Sequence, residues 1–278
     1  MSEDKILGLI AGSGRLPYLV ADGARNAGYK VVCVGLTDSA PDELAEHTDD
    51  FFRGAVCRPG GWMRKLRNRG VRETIMVGKV EKAQIYTPMR LVKYMPDWRA
   101  LRIWYWRLRH KDKRSQTLLR AIADELATGN IILEDSTMYI KEHLAHQGVM
   151  TKVKPVESVY EDIEFGWELV KTIGELDIGQ AIAVKEKEVI AVEAIEGTAK
   201  MIERAGSLCR SGGWTLIKTS RPDQDMRFDV PCVGPDTVKA LAEYNAKCLV
   251  VEKDKTLILD KPQTLELANK LGVAIVGH

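Results

Sequence analysis

The sequence predicts an α/β protein with two domains. Short apolar runs alternate with helical patterns from the N-terminus onward, which is typical of a parallel sheet covered by helices. The pattern becomes richer in strands after residues 130–136, and the 278 residues suit two domains at about 100–200 residues each. We therefore expect a Rossmann-like parallel-sheet domain over residues 1–132 and a second α/β domain over 133–278.

The first domain is predicted from its opening strand and turn. The apolar run Ile6–Ala11 predicts a strand, Gly12-Ser13-Gly14 predicts a tight turn, and residues 16–28 predict a helix. Pro17 falls in the first turn of that helix, where its missing N–H costs little. Further strands are predicted at 31–34, 51–55 and 74–77, and helices at 42–47, 62–68, about 97–110 and 114–128. These strands would be joined by right-handed crossovers.

The second domain shows strand and helix patterns in a less regular order. Helices are predicted at 137–146, 158–172, 198–205, 235–246 and 263–271. Strands are predicted at 181–184, 189–193, 215–219, 247–251, 256–259 and 274–276. There is no internal repeat and no low-complexity segment, and either half of the chain is long enough to bury its own core.

Composition excludes several classes of protein. The 41 basic and 39 acidic side chains give a net charge of +2, which argues against a globally basic nucleic-acid coat, and we predict no nucleic-acid partner. No stretch approaches the roughly 20 apolar residues that span a bilayer. The N-terminus does not resemble a signal peptide. The five cysteines include no CxxC pair, so they are expected to be reduced thiols in a cytoplasmic protein.

The near-neutral total conceals one basic stretch. Residues 90–120 hold ten Lys or Arg and two Asp, a local charge of +8, together with three of the six tryptophans. Leu101, Trp104, Tyr105 and Leu108 fall at helical spacing and define one face. One interpretation packs that face inward and leaves the arginines in solvent. The other places Arg and Trp side chains against an anionic membrane or lipid headgroup. The sequence leaves both open.

Gly12-Ser13-Gly14 is the first candidate binding motif. A doubly wound sheet binds phosphate at such a strand–turn–helix junction, because the helix begins with free N–H groups and a positive dipole end. The dinucleotide fingerprint requires a third glycine, and Pro17 occupies that position, which disfavours NAD. Gly78-Lys79 closes the fourth predicted strand. A simple tight turn remains the alternative interpretation.

Two more glycine motifs lie in the second domain. Glu196-Gly197-Thr198 separates a predicted strand from a helix, and Thr198 is a candidate N-cap. Gly197 would allow a ligand to approach the backbone. Gly212-Gly213 precedes another strand in the same way.

The densest polar cluster begins at Lys218 and continues through Gln224 to Gly234. In an extended segment Asp223, Asp225, Arg227 and Asp229 would point to one face. Such a row suits Mg²⁺ together with phosphate, because carboxylate oxygens bind the metal and cations bind phosphoryl oxygens. A solvated loop with surface ion pairs of about 0–1 kcal/mol each is the alternative.

These motifs together resemble the UDP-2,3-diacylglucosamine pyrophosphatases of the type unrelated to calcineurin-like metallophosphoesterases. The matching segments are GLIAGSGRLPYLVADGARNAGY at 8–29, DIGQAIAV at 177–184, VIAVEAIEGT at 189–198 and RPDQDMRFDVPCVGPDTV at 221–238. They extend along nearly the whole chain. One departure is Ala199, where many relatives are expected to carry Asp after EGT.

The resemblance implies Mg²⁺-dependent hydrolysis of that lipid-linked nucleotide sugar to UMP and 2,3-diacylglucosamine 1-phosphate, in lipid A biosynthesis. It also implies a C-terminal α/β domain peculiar to the family, a homodimer, and an essential acid at Asp225. Our hypothesis is that Asp225 and Mg²⁺ position or activate water, that Asp229 is a second metal ligand, and that Lys218 and Arg227 neutralise the pyrophosphate. The other expected substrate contacts are Gly12, Ser13, Gly14, Gly78, Lys79, Glu196, Gly197, Thr198, Gly212, Gly213 and Gln224.

Two other functions are weighed against this one. A non-catalytic sensor of a nucleotide sugar or lipid would use the same pocket without releasing product. A nicotinamide-linked oxidoreductase is disfavoured by the missing third glycine. Because the implied substrate carries acyl chains, we also expect peripheral contact with the cytoplasmic face of the inner membrane through residues 90–120.

Overall fold

The computed structural model describes residues 5–37, 39–80, 95–107, 115–222 and 224–278. The chain packs into two compact units. One contains the residues up to Lys141 together with Asp225–Asp229, and the other contains Glu142–Gln224 and Val230–His278. No helix among the described residues is long and apolar enough to cross a membrane.

The first unit contains a five-stranded sheet in which all neighbouring strands are parallel. Its strands are β1 (Ile6–Ala11), β2 (Lys30–Leu36), β3 (Asp50–Gly54), β4 (Glu73–Val77) and β5 (Ile132–Leu133). Its helices are α1 (Leu16–Asn26), α2 (Pro59–Asn68), α3 (Trp98–Arg102), which continues into a π-type turn at Ile103–Arg107, and α4 (Ser115–Ala127), and a 3₁₀ turn lies at Asp42–His47. The Rossmann-like prediction for this unit is confirmed.

The order of this sheet, β3-β2-β1-β4-β5, identifies its binding edge. The chain builds outward from β1 on one side, then crosses to β4 on the other side of β1. Ligands of open parallel sheets bind at such a reversal, outside the carboxyl ends of the two strands. Gly12–Gly14 follows β1 and Gly78-Lys79 follows β4, so both predicted motifs lie at the reversal.

The second unit contains a mixed six-stranded sheet in the order β6-β13-β11-β9-β7-β8. Its strands are β6 (Gly148–Val149), β7 (Ala181–Lys185), β8 (Glu188–Val192), β9 (Thr215–Lys218), β11 (Cys248–Val251) and β13 (Ala274–Gly277), and the short pair β10 (Cys232–Val233) and β12 (Leu257–Ile258) lies apart. Its helices are α5 (Glu157–Glu175), α6 (Thr198–Leu208), α7 (Pro235–Glu243) and α8 (Lys261–Leu271), and a 3₁₀ turn lies at Lys141–His143.

The parallel strands β9, β11 and β13 determine where polar groups collect in this unit. Their interiors are buried and apolar, as Leu216, Ile217 and Leu249 illustrate. Polar side chains collect where the strands end: Lys218 is the last residue of β9, Thr219 and Ser220 follow it, and Glu252 follows β11. All four of these polar residues are buried.

The predicted helix at 137–146 is wrong. Residues 136–139 form turns, and the 3₁₀ turn at Lys141–His143 is the only helical element of this segment. The Asp135 carboxylate accepts hydrogen bonds from both the backbone N–H and the hydroxyl of Thr137, each at 2.7 Å. Short polar side chains that bond to nearby backbone compete with helix formation in this way.

Candidate active site

The two glycine motifs of the first unit are joined by backbone hydrogen bonds. Ser13 and Lys79 exchange a pair of bonds, with the Ser13 N–H donating at 2.8 Å and the Lys79 N–H at 2.9 Å. The Ser13 hydroxyl also donates to the Lys79 carbonyl at 3.1 Å. The loops after β1 and β4 therefore form one rigid edge.

Two of the three glycines at this edge are required by packing, and the third leaves space for a ligand. A Cβ at Gly12 would lie 2.5 Å from the Lys79 carbonyl oxygen, and a Cβ at Gly78 would lie 2.8 Å from the Gly12 backbone. Both glycines are required by the close approach of the two loops. Gly14 has φ +101° and open space where its Cβ would stand. It is the glycine of the three that leaves room for a ligand, beside an α1 N-terminus without a side-chain cap.

In the second unit, Lys218 is linked to Glu193 through Thr198. The Lys218 ammonium donates to the Thr198 hydroxyl at 2.7 Å, and that hydroxyl donates to the Glu193 carboxylate at 2.6 Å. Lys218 is 5% exposed and Glu193 6%. The second oxygen of Glu193 is buried and has no hydrogen-bond partner among the described residues. A cation, a hydroxyl and a carboxylate thus form a buried chain of hydrogen bonds. Glu193 was not among the predicted site residues.

The EGT motif is built differently from the prediction. Thr198 begins α6, and the N-cap is Gly197 at φ +82°, with no side-chain cap. The Thr198 hydroxyl bonds Lys218 and Glu193 instead of the helix N-terminus. Glu196 accepts hydrogen bonds from the Ala194 N–H at 3.1 Å and from Arg204 at 2.6 Å. Backbone N–H donors and Arg204 lower the pKa of Glu196.

Glu252 is a second acid that the sequence analysis missed. It accepts hydrogen bonds from the Ser220 N–H at 2.8 Å and the Ser220 hydroxyl at 2.6 Å. It also pairs with Lys171 at 2.6 Å and Lys255 at 3.0 Å. Burial alone would raise the pKa of Glu252, but these donors outweigh burial and lower the pKa to about 2. Glu252 therefore fixes the backbone immediately after β9.

The segment Asp225–Asp229 forms a single helical turn, so the predicted extended row is wrong. The N–H groups of Phe228 and Asp229 both bond the Asp225 carbonyl, at 3.2 and 3.0 Å. The turn is fixed by Ser136, whose N–H and hydroxyl both donate to the Met226 carbonyl, at 3.1 and 2.7 Å. Phe228 also packs against the hydrophobic core of the first unit.

Asp225 and Arg227 form a bidentate ion pair inside this turn. The Arg227 Nε donates to one carboxylate oxygen at 2.9 Å, and its terminal nitrogen donates to the other at 2.7 Å. These hydrogen bonds, more than the charge of Arg120, lower the pKa of Asp225. The same pair raises the pKa of Arg227. Both groups therefore remain charged over the physiological pH range.

The carboxylates of this turn are a minimal set for a divalent cation. The part of the chain that the structure describes contains no group of three or more His, Cys, Asp or Glu side chains arranged to hold a metal. Mg²⁺ commonly takes only one or two carboxylates and completes its shell with water and substrate phosphate oxygens. Asp225 and Asp229 lie four residues apart on one turn. Because both oxygens of Asp225 accept bonds from Arg227, a cation held here would share that carboxylate with the guanidinium. Asp223 lies outside the described residues.

The structure divides the predicted site residues into three groups. The first unit contains Gly12, Ser13, Gly14, Gly78, Lys79, Asp225, Arg227 and Asp229, and the second unit contains Glu196, Gly197, Thr198, Lys218 and Gln224 near the carboxyl end of β9. The side-chain oxygen of Gln224 accepts a hydrogen bond from the Arg221 N–H at 2.8 Å, and its buried side-chain nitrogen has no partner among the described residues. Gly212 and Gly213 precede β9 at its other end, where the Gly213 N–H bonds the Asn245 carbonyl at 2.8 Å.

Comparison with known proteins finds similarity along nearly the whole chain. Residues 6–143 match the family model of the LpxI N-terminal domain, and residues 146–276 match that of the LpxI C-terminal domain. A curated relative from Caulobacter vibrioides, UDP-2,3-diacylglucosamine pyrophosphatase LpxI, is 29% identical over 98% of this chain and 96% of its own length.

Proposed function

The chain belongs to the LpxI family, and from this premise we propose that it hydrolyses UDP-2,3-diacylglucosamine to UMP and 2,3-diacylglucosamine 1-phosphate. Membership makes the chain a hydrolase of a pyrophosphate bond, with a role in lipid A synthesis. The observation that carries the proposal is the Asp225–Arg227 pair, which presents a carboxylate that is ionised at neutral pH beside a guanidinium that can bind phosphate.

Hydrolysis of this bond requires water at one phosphorus while the bond from that phosphorus to the bridging oxygen breaks. Little covalent chemistry is left for the protein, so rate comes from positioning and from neutralising charge on the phosphoryl oxygens. Because the pKa of Asp225 is lowered, its carboxylate stays ionised and is a weak base, which suits accepting a hydrogen bond from water better than removing its proton. We therefore assign Asp225 to orienting the water, and Arg227 and Lys218 to binding the charge.

Mg²⁺ is the proposed cofactor, held by Asp225 and Asp229 together with substrate oxygens. When bound, it would supply positive charge to the phosphoryl oxygens. Gly14 and the α1 N-terminus are proposed to receive the uridine diphosphate end, supported by the open space at Gly14. The backbone at Gly197, where a Cβ would meet open space, is proposed as a second anion contact.

The decisive experiment is incubation of the purified chain with UDP-2,3-diacylglucosamine, with Mg²⁺ or with a chelator, measuring UMP. We expect Mg²⁺-dependent release of UMP and a loss of at least about 100-fold in kcat for Asp225→Asn, which keeps shape but removes charge. Asp236→Asn is the matched control, because Asp236 is an exposed acid on α7. Substrate binding without UMP release would instead identify a non-catalytic sensor, and near-normal turnover by Asp225→Asn would refute its role.

The remaining proposals concern location and assembly. We place the protein in the cytoplasm as a homodimer, with peripheral contact at the inner membrane, where a substrate with two acyl chains resides. Size-exclusion chromatography with light scattering tests the dimer, and cell fractionation tests the location.

A further inference from the structure

A groove rich in arginine lies on the first unit, on helix α2. It has a volume of about 440 Å³, and Arg58, Arg64, Arg67, Trp98 and Arg99 are among the side chains that line it. Gly60 and Gly61 contribute part of the lining without side chains. No residue assigned above to the reaction lines this groove.

The charges of the groove are only partly balanced. Arg64 and Arg67 are exposed and form no ion pair with any other described residue. Arg58 uses one nitrogen to donate to the Met95 carbonyl at 3.1 Å. The acid of the groove, Asp97, bonds the N–H groups of Gly60 at 2.7 Å and Ala100 at 2.9 Å, so it holds backbone instead of pairing with an arginine.

An exposed aromatic surface adjoins the groove. Trp98, which lines the groove, is 75% exposed, and Trp104 is 68% exposed. Leu101 and Tyr105 are also exposed, whereas Ile103 is buried and anchors the segment. The inward-packed interpretation of Leu101, Trp104 and Tyr105 is therefore wrong. Leu108 lies outside the described residues.

We propose that this groove binds the phosphate headgroups of anionic phospholipids and that the adjoining aromatic side chains enter the bilayer interface. Guanidinium groups form charge-assisted hydrogen bonds with phosphate, and tryptophan favours the headgroup region of a bilayer. The proposal deepens the membrane contact suggested above, and it adds residues 58–67, which lie outside the basic stretch recognised from sequence.

Two arginines close to the groove are excluded from the test. Arg99 and Arg102 both bind Glu125, which is 1% exposed. Changing either would disturb the packing of α3 on α4 and confuse folding with binding. The test therefore uses Arg64→Gln/Arg67→Gln, with Arg210→Gln/Lys270→Gln as the matched control at exposed basic positions of the second unit.

The experiment measures co-sedimentation of the full chain with vesicles of phosphatidylcholine alone or mixed with phosphatidylglycerol. We expect binding only to the mixed vesicles, reduced by salt and by competing glycerol phosphate. The Arg64/Arg67 double variant should bind about 30-fold more weakly, from about fivefold for each basic side chain. The control variant and UMP release from detergent-dispersed substrate should be unchanged.

Three outcomes would overturn the inference. They are equal binding to neutral vesicles, equal weakening by the control variant, and parental affinity in the Arg64/Arg67 variant. Circular dichroism and thermal unfolding establish that each variant is folded. A second variant, Trp98→Ala/Trp104→Ala, should weaken vesicle binding without changing competition by glycerol phosphate. UMP release with no vesicle binding would refute this inference and leave the proposed activity standing.

Discussion

At the scale of single residues, the Asp225–Arg227 pair makes a prediction about pH. The guanidinium lowers the pKa of Asp225, so the carboxylate loses its charge only in acid below its ordinary range. Arg227→Gln removes that influence, so the pKa of Asp225 should rise toward or above its ordinary range. The acid limb of kcat/KM against pH should therefore move to higher pH, in addition to an overall loss of rate.

The control for this experiment is Lys239→Gln, which breaks the exposed pair of Lys239 with Asp236 on α7. That variant should keep the parental pH profile. An acid limb that stays in place in Arg227→Gln would mean that Asp225 is not the group that titrates.

Thr198 yields a prediction about stability, because it bridges two buried charged residues. Thr198→Val keeps the shape but deprives Lys218 and Glu193 of a shared hydroxyl. We expect a loss of about 1–3 kcal/mol in the free energy of unfolding, because the buried Glu193 carboxylate would lose its hydrogen-bond donor. Urea denaturation measures it. Thr198→Ser should restore most of the loss, and equal destabilisation by both variants would contradict the bridge.

Sequence patterns revealed some site residues and not others. Asp225 and Arg227 belong to an unmistakable cluster of alternating charge. The helical turn that joins them was not predicted, because it depends on Ser136, which lies about 90 residues away along the chain. Glu193 and Glu252 each follow directly on an apolar strand of the second unit, and an acid in that position is the signal that could have found them.

At the scale of elements, long buried strands were the most predictable. Ile6–Ala11 and residues 181–184 are continuous apolar runs, because these strands are buried. The two-residue strands Ile132–Leu133 and Gly148–Val149 were missed, since two residues carry no periodicity. Residues 97–110 were predicted as one helix. The helix α3 and its π-type turn cover residues 98–107, and residues 108–110 lie outside the described residues. The pairing of α3 with Glu125 has no local signature.

The pairing of Arg99 and Arg102 with Glu125 predicts that removing the arginines destabilises the protein more than removing the charge of Glu125. Burial tends to raise the pKa of Glu125, but Arg102 and Arg99 outweigh it and lower the pKa. Arg99→Ala/Arg102→Ala would leave a buried carboxylate unpaired, at a cost of about 3–5 kcal/mol. Glu125→Gln leaves two partly exposed guanidinium groups, which water can solvate, so we expect a smaller loss.

Urea denaturation at two pH values tests this asymmetry. Without the arginines the pKa of Glu125 should rise above its unfolded value, so the deficit of the double variant should be larger at neutral pH than in mild acid. Lys187→Ala, which breaks an exposed pair with Glu161, should leave the free energy of unfolding nearly unchanged at either pH. A pH-independent deficit in the double variant would contradict this account.

At the scale of the whole molecule, the candidate site depends on the path of the chain more than on its net charge. The sequence predicted two successive domains, whereas Asp225–Asp229 packs with the first unit although its flanking residues pack with the second. No local sequence pattern predicts that Asp225–Asp229 packs with the first unit. The residues that hold it there, Ser136 and the core around Phe228, are distant in the sequence. Charge behaves similarly, since a total of +2 conceals an arginine groove on one face.

The packing of the Asp225–Asp229 turn with the first unit predicts that Ser136 affects catalysis indirectly, by holding this turn. Its hydroxyl and N–H both hold the Met226 carbonyl, and Met226 directly follows Asp225. Ser136→Ala should loosen the turn, and kcat should fall about tenfold or more with little change in KM, because a misplaced carboxylate no longer orients water.

Ser207→Ala is the control: it removes a hydroxyl-to-carbonyl bond of the same 2.7 Å length at an exposed site on α6, and it should leave kcat unchanged. Since Ser136→Gly also lacks the hydroxyl, it should reproduce the loss, and Ser136→Thr should recover part of it. A parental kcat in Ser136→Ala would show that the remaining N–H bond and the packing of Phe228 suffice to hold Asp225.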